Sequence, residues 1–577
     1  MRHHGIALHS AVDHGNSWRA FPFFILCHEY NKSMRIRSVV FFVLGGAIIA
    51  VAFFAEAVGL DNDPGWGRGR IAILVFGILT IAFGLFYSLY SDIVVSTSNK
   101  LQSFVWRKLT ALFGFGRRDG YIFPVLILVI LVYVWFASSG SWTRWEPATR
   151  YYAELANSFK QGQLHLLDEP NEKLLSLSNP YDPSARQGVN YFIDYSLYQG
   201  KYYLYWGPVP ALLLILTDPF TRGRVADLYL VFYFACGIFL LQSLFIVMMR
   251  ERFFRDLPKW MLPLSIFVLG LIAPWTYMLI NEPNGRIYEA SISGTQFFLM
   301  SGFLVAVVAL DRPAPSSLLL ALTGFLWALA IGTRLVIALP VGFLFLMIAY
   351  RLWKTMHLSA LSLAGKLFSL SLPLIFCLIA SGWYNWARFG SLTETGISYQ
   401  LAGVNQDYGN ALFSPAYFVQ NLYTYLFHPP SVTPQFPFLY PKEIAGVGLL
   451  FIAPFTMFAI LSVTPLLRKM PPKPSSSPKA HGMDLLDWII TSLLGSFLSA
   501  FGLLLISLWT MIRYLADFMP ALTILSILGF WQGYQLLAQT PRYQRRYATL
   551  GIILAGASVT VNILLSISVR YLGRTGF

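Results

Sequence analysis

Apolar runs of roughly 18 to 25 residues return along nearly the whole chain, each long enough to cross a hydrocarbon core of about 30 Å as a helix. Barrel strands would instead alternate with period two over segments of about ten residues, and these runs do not. A charged fraction of 12% against a hydrophobic fraction of 56% fits the same reading, since a soluble domain carries about twice that charge. The fold class expected is an all-α polytopic membrane protein of about 13 transmembrane helices. The runs fall near residues 38–57, 71–91, 120–138, 225–249, 261–280, 289–310, 315–332, 335–350, 366–384, 443–463, 485–509, 515–537 and 547–568. Between them lie two long polar segments, 139–224 and 385–442.

Alternate spans cross in opposite directions, so the basic residues can be sorted by side. One side collects the N-terminal tail, "RERFFRDLPKW", "RLWKTMH", "RKMPPKPSSSPKA" and "TPRYQRR", and with them the larger share of the 42 Lys and Arg residues. The positive-inside rule puts that side in the cytoplasm and turns the two long, nearly neutral segments outward. The net charge of +15 is thereby read as membrane topology and not as nucleic-acid binding. Residues 1–33 are polar and expected to be a disordered tail, and Met34, just before "RIR", offers a second start. Residues 34–119 read as two extra spans with a basic cytoplasmic loop, 120–568 as the transmembrane core, and 569–577 as a short tail. Three cysteines, Cys27, Cys236 and Cys377, show no metal-ligand spacing and exclude a disulfide framework.

The first outer segment opens with "SWTRWEPATRYYAELANSFKQGQLHLL". Pro147 suits a first helical turn, Tyr152, Leu155, Ala156 and Phe159 share a face, and Gly162 ends the pattern. The reading is an amphipathic helix on the membrane surface with Arg150, Glu154 and Lys160 turned to water. "SLYQGKYYLYW" reads as a β-hairpin about Gln199-Gly200, with Asp194 beside its first strand. "GPVPALLLILTDPF" follows as a short helix that does not cross. The second outer segment, rich in Gly, Pro, Asn and Tyr, is helical only around "SPAYFVQNLYTYLF". Its rings and amides suit a sugar surface or a membrane interface equally.

Ionisable groups stand where spans end: Arg286 and Glu289 in "NEPNGRIYEASISG", Arg334 in "AIGTRLVIALP", Arg513 and Asp517 in "WTMIRYLADFMP". Charge at such depth faces protein, a partner or substrate. Arg513 and Asp517, four residues apart, are spaced to pair with each other on a helix. Arg334 has no local partner, and a phosphate arriving from the lipid side would supply one.

"RYYAELANSFKQGQLHL", "NPYDP" with "DYSLYQGKYYLYWGPVPALLL", "GTRLVIALP" and "RYLADFMPAL" together resemble the GT-C superfamily of integral-membrane glycosyltransferases. The likeness is to bacterial members of the protein mannosyltransferase and aminoarabinose transferase groups (glycosyltransferase family 39-like), and it covers residues 120–568 as an eleven-helix core. The resemblance implies an inverting hexosyl- or pentosyltransferase of the bacterial inner membrane and cell envelope. It would take sugar from a polyprenyl-phosphate or -diphosphate donor and pass it to a glycan, lipid or protein acceptor outside. It also implies an acidic base in the first outer loop. Here Ala148-Thr149 stands where many members carry an acidic pair, leaving Asp194, Glu146 two residues earlier, or Asp182 of "NPYDP" for that role. Arg334 and Arg513 are the expected phosphate clamps, with Arg286, Glu289, Tyr195, Lys201 and Tyr203 as further substrate-binding candidates. No cofactor is required by the sequence. A divalent metal is an alternative source of positive charge, although no ligand cluster stands at usable spacing. The competing reading is a transporter or flippase of lipid-linked sugars.

Overall fold

The structure, a computed structural model, describes residues 120–145, 149–221, 225–280, 286–354, 356, 358–402, 412–441, 446–467 and 484–572, with scattered positions before them. The chain divides into two compact units, residues 1–108 with 141–144, and residues 109–140 with 145–577. The expected tail over 1–33, the spans near 38–57 and 71–91 and the basic loop after them lie outside the described residues, apart from a few helical positions.

From residue 120 onward each expected span overlaps described helix, with limits that differ by several residues. In chain order the helices are α1 (Phe123–Ala137), α2 (Tyr151–Lys160), α3 (Glu172–Leu175), α4 (Val209–Thr221), α5 (Asp227–Phe253), α6 (Met261–Leu271) and α7 (Trp275–Met278). They continue with α8 (Ile287–Leu310), α9 (Ser317–Thr333), α10 (Ala338–Lys354), α11 (Ala360–Phe389), α12 (Phe418–Phe427), α13 (Leu449–Ile452) and α14 (Ala459–Leu467). The last are α15 (Leu485–Leu505), α16 (Met519–Leu536) and α17 (Pro541–Leu572). Among the described residues seven helical stretches are long and apolar enough to cross a membrane: Asp227–Phe253, Met261–Met278, Ile287–Leu310, Leu335–Lys354, Ala360–Phe389, Leu485–Leu505 and Pro541–Val569. Phe123–Ala137, Val209–Asp218, Ser317–Thr333 and Pro454–Thr464 are shorter apolar helices.

Helices in lipid gain little from hydrophobicity and pack where small residues let backbones approach. At Gly324 of α9 a Cβ would fall 2.1 Å from the carbonyl oxygen of Leu370 in α11. At Gly529 of α16 it would fall 1.9 Å from that of Phe458. Side-chain donors fasten the same core: Gln242 Nε2 donates to the Pro520 carbonyl at 3.1 Å and Trp327 Nε1 to that of Leu299 at 3.2 Å.

Two of the expected spans are broken. The run at 261–280 stops at Leu271 and resumes at Trp275, after Pro274. The run at 443–463 becomes α13, a 3-10 stretch over Pro454–Phe458, and α14. A proline has no N–H to give and frees the carbonyls before it, which in an apolar medium need new donors. Helix α17 supplies partners for both breaks from one stripe. Asn562 Nδ2 donates to the carbonyls of Leu271 at 2.6 Å and Ala273 at 3.0 Å. Ser566 Oγ lies 2.9 Å from Thr276 Oγ1, and Ser558 Oγ accepts from Phe455 N at 3.0 Å. All three α17 side chains are at most 1% exposed.

The polar segments fold as small local structures. Strands β1 (Ser196–Tyr198) and β2 (Lys201–Tyr203) pair antiparallel, with Ser196 opposite Tyr203 and Tyr198 opposite Lys201. Gln199 and Gly200 both have positive φ, 49° and 73°, the geometry of the two-residue turn that matches strand twist. Helix α2 buries Tyr152, Leu155 and Ala156 as the pattern requires, and Gly162 takes a φ of 72° beyond its end. In the second segment, Asn421 of α12 donates to the carbonyls of Leu504, Leu505 and Ser507 and so closes the open end of α15. A second, two-residue hairpin, β3 (Ser431–Val432) with β4 (Leu439–Tyr440), follows.

The two segments are stitched together. Asp194 N donates to the Leu401 carbonyl at 3.1 Å, Leu401 N returns to that of Tyr195 at 2.7 Å, and Ser196 bridges to Gln400. Two buried arginines add to the seam. Arg186 donates to the Ala402 carbonyl, and Arg388 Nη1 reaches that of Leu204 at 2.6 Å while its guanidinium lies over the Tyr384 ring.

Candidate functional site

Helix α8 and the C-terminal end of α9 meet a 3-10 stretch, Ile512–Asp517, that leads into α16. Arg286, Glu289, Arg334, Arg513 and Asp517 come together there. Helix α9 ends at Thr333, and Arg334 follows with extended backbone before a short 3-10 turn into α10. That end is fixed from the hairpin side by Gly207, where a Cβ would lie 2.1 Å from the Gly332 carbonyl oxygen and 2.7 Å from that of Thr333. Only a residue without a side chain allows "WGPVP" to sit against the break from which Arg334 emerges.

The ion pairs differ from those the spacing suggested. Arg334 does have a partner: its Nη1 donates to both carboxylate oxygens of Asp517, at 2.5 and 2.7 Å. Arg513 pairs instead with Glu289, Nη1 to Oε1 at 3.5 Å, and Arg286 Nη1 meets the same oxygen at 3.2 Å. The cause is the local helix type. Residues four apart share a face of an α-helix, but with three residues per turn they diverge by about a third of a turn. Arg513 and Asp517 sit on such a 3-10 stretch and point to different neighbours. Gln296 of α8 holds the stretch in place by donating to the Asp517 carbonyl at 2.9 Å.

The two arginines remain partly accessible, each side chain 20% exposed, whereas Asp517 and Glu289 are 5% and 1% exposed. Tyr514 lies between them, its ring 5.5 Å from the Arg334 guanidinium carbon and 5.8 Å from that of Arg513. Arg513 also stacks over Tyr288, at 4.3 Å. Both guanidinium groups are therefore held from behind by carboxylates and flanked by tyrosines.

Asp194 reaches Tyr288, the ring under Arg513, through Gln400. It sits at a φ of 68°, and its Oδ1 accepts from Gln400 Nε2 at 2.9 Å. Burial pushes its carboxyl above the usual carboxylate range, opposed by hydrogen bonds from Tyr288 and Gln400 and by the charge of Arg513. A half-buried carboxylate held this way is a better proton acceptor near neutrality than an exposed one.

Asp227 was not singled out by sequence reasoning. It opens α5, has no exposure at all, and accepts from Thr149 Oγ1 at 2.7 Å, Tyr151 N at 3.0 Å and Tyr152 N at 3.3 Å. Its own N–H donates to the Thr149 carbonyl at 3.2 Å. It caps the first turn of α2 from a distant part of the chain, satisfying donors that a helix start leaves open. Thr149, at the position of the acidic pair implied by the resemblance, thus serves as a hinge of this cap and contacts Arg286 N at 3.4 Å. No local motif announces a cap made across 78 residues.

The remaining candidates lie elsewhere. Glu146 is outside the described residues. Asp182 accepts from the Ser184 hydroxyl at 2.8 Å and its N–H at 2.9 Å, which hold its carboxyl below the ordinary range. Tyr195 is buried and donates its hydroxyl to Glu154, so Glu154 faces the hairpin and not water. The reason is register: Glu154 lies one turn from Tyr151 and Ser158, on the flank of α2 that meets Tyr195 of the hairpin segment. Arg150 and Lys160 are exposed as expected, the latter pairing with Asp218 at 3.1 Å. Tyr203 packs on Phe389 with centroids 5.2 Å apart, and Lys201 is exposed at the hairpin tip. Among the described residues no three His, Cys, Asp or Glu side chains converge to hold a metal ion.

The chain matches no protein-family profile and no curated protein. Among solved structures, the apo oligosaccharyltransferase of Archaeoglobus fulgidus is similar to it, with 13% identity and a TM-score of 0.41. The likeness covers 78% of this chain and 56% of the other, so the chain spans just over half the length of that protein.

Proposed function

We propose that the chain is a membrane glycosyltransferase that moves a sugar from a polyprenyl-phosphate-linked donor to an acceptor on the outer face of the membrane. The observation that carries this reading is a half-buried carboxylate, Asp194, joined through Gln400 to the tyrosine that lies under Arg513, with Arg513 and Arg334 both partly exposed and already oriented by buried acids. A sugar phosphate has a good leaving group, so what the reaction needs is a base and fixed cations.

In the proposed step the acceptor hydroxyl oxygen attacks the anomeric carbon while the bond from that carbon to the phosphate oxygen breaks. The hydroxyl proton passes to the Asp194 carboxylate, and the electron pair leaves with the polyprenyl phosphate. Attack opposite the leaving group inverts the anomeric carbon. Arg334 commits only Nη1 to Asp517 among the described residues, which leaves its other donors for phosphate oxygens. Arg513 offers a second guanidinium beside Tyr514. No step is routed through a metal ion.

The test is transfer from a polyprenyl-phosphate hexose by the full-length protein in liposomes, with donor on one face only. Asp194→Asn should abolish transfer while leaving insertion and yield unchanged. Full transfer by that variant would remove the base from the scheme. Movement of donor across the bilayer without product would identify a flippase instead.

A further inference from the structure

Asp194 would be a poor base if its carboxylate were free to turn, and the structure shows what stops it. Its backbone is in the left-handed region, uncommon for a residue with a side chain, and is pinned on both sides by the Leu401 pairing. The Gln400 amide spends its two N–H bonds in two directions. Nε2 donates to Asp194 Oδ1 at 2.9 Å and to the Tyr288 hydroxyl oxygen at 3.2 Å. The Tyr288 hydroxyl oxygen therefore anchors the same amide that holds the carboxylate. The result is one bridge, from Tyr288 through Gln400 to Asp194.

The Tyr288 ring is as constrained as its hydroxyl. The Arg513 guanidinium lies over one face at 4.3 Å, and Trp206 meets the ring edge-on with centroids 5.0 Å apart. The next residue along α8 is Glu289, the carboxylate that pairs with Arg513. Adjacent residues thus grip one arginine, by a ring face and by a charge.

We propose that Tyr288, together with Gln400, is a positioning residue that orients the Asp194 carboxylate and couples it to Arg513, so that proton acceptor and phosphate clamp move as one unit. This rests on the reading of Asp194 as base. The groups that face Asp194 are Arg513 from the 3-10 stretch, Tyr288 from α8, Gln400 from the second segment, and Tyr151 and Tyr205 from the first.

The test is infrared titration of carboxyl groups in full-length protein in liposomes, with the Asp194 band assigned by its loss in Asp194→Asn. Tyr288→Phe keeps the ring under Arg513 and removes the hydroxyl that anchors the Gln400 amide. Gln400→Leu removes the donor itself. Loosening or removing a hydrogen bond to the charged form moves the midpoint upward, by about one pH unit for each variant. In transfer from a polyprenyl-phosphate hexose, Tyr288→Phe should move the acid limb of the pH–rate profile upward at unchanged donor KM, and Tyr288→Leu should raise donor KM as well. Unmoved midpoints in both Tyr288→Phe and Gln400→Leu overturn the proposal. The infrared readout needs no turnover, so active Asp194→Asn would sink the base assignment without touching this result.

Discussion

Arg334→Met separates what the Arg334–Asp517 pair does for the fold from what Arg334 does for a substrate. Asp517 is 5% exposed at its side chain, and both of its oxygens are held by one guanidinium nitrogen. Removing the arginine leaves a buried carboxylate without its counter-charge, a change that costs about 3–5 kcal/mol in buried pairs. Because Arg334 is 20% exposed, water reaches the site and the lower end, about 3 kcal/mol, is the better expectation. Replacing both residues, Arg334→Met with Asp517→Leu, should restore stability to within about 1 kcal/mol. Thermal unfolding in detergent, followed by the monodisperse fraction that survives heating, reads all three proteins. The stable double variant should still fail to transfer sugar. An unaltered melting temperature in Arg334→Met would refute the energetic argument, and transfer by the double variant would refute the clamp.

Substitutions at three other positions probe the surroundings. Gly207→Ala would drive a methyl group into the Gly332 and Thr333 carbonyls, so the segment must shift. Transfer should fall at least tenfold with the chain still inserted, measured beside a fluorescence-detected elution profile. Asn562→Leu strands the carbonyls of Leu271 and Ala273 at about 1–3 kcal/mol, to be seen as a lowered melting temperature, whereas Asn562→Gln should recover part of it. Burial raises the Glu154 carboxyl, against the Tyr195 hydrogen bond, so the folded state holds that proton more tightly than the unfolded one. Its contribution to stability therefore declines as pH rises above the unfolded value of about 4 toward the folded one. Glu154→Gln should be at least as stable as the parent at pH 7 and lack that decline, and a less stable variant at pH 7 would contradict it.

The hairpin and most helix limits were legible because their signals are local. Gln199-Gly200 can take two positive φ values in a row, and the apolar runs state their own lengths. That Arg286, Glu289, Arg334, Arg513 and Asp517 stand where helices begin or end could be read from the sequence. Which acid pairs with which arginine could not. That depends on three residues per turn over Ile512–Asp517, where the spacing gave no reason to prefer 3-10 over α. Asp227 and Gln400 act on residues far away in sequence and belong to no motif, so only the folded chain brings them to Thr149 and Asp194. The breaks at Pro274 and Pro454 were visible as prolines. The serines and asparagine that compensate for them sit in a helix that otherwise reads as a plain span.

That stripe on α17 has a consequence for how the protein is made. Ser558, Asn562 and Ser566 are synthesised after both interrupted helices have left the ribosome. Until they arrive, the loose carbonyls around Leu271 and the exposed amide at Phe455 have no protein partner and must stay beside water or the insertion machinery. The bundle is therefore closed from its C-terminal end, and a chain halted before residue 558 would hold two half-seated helices.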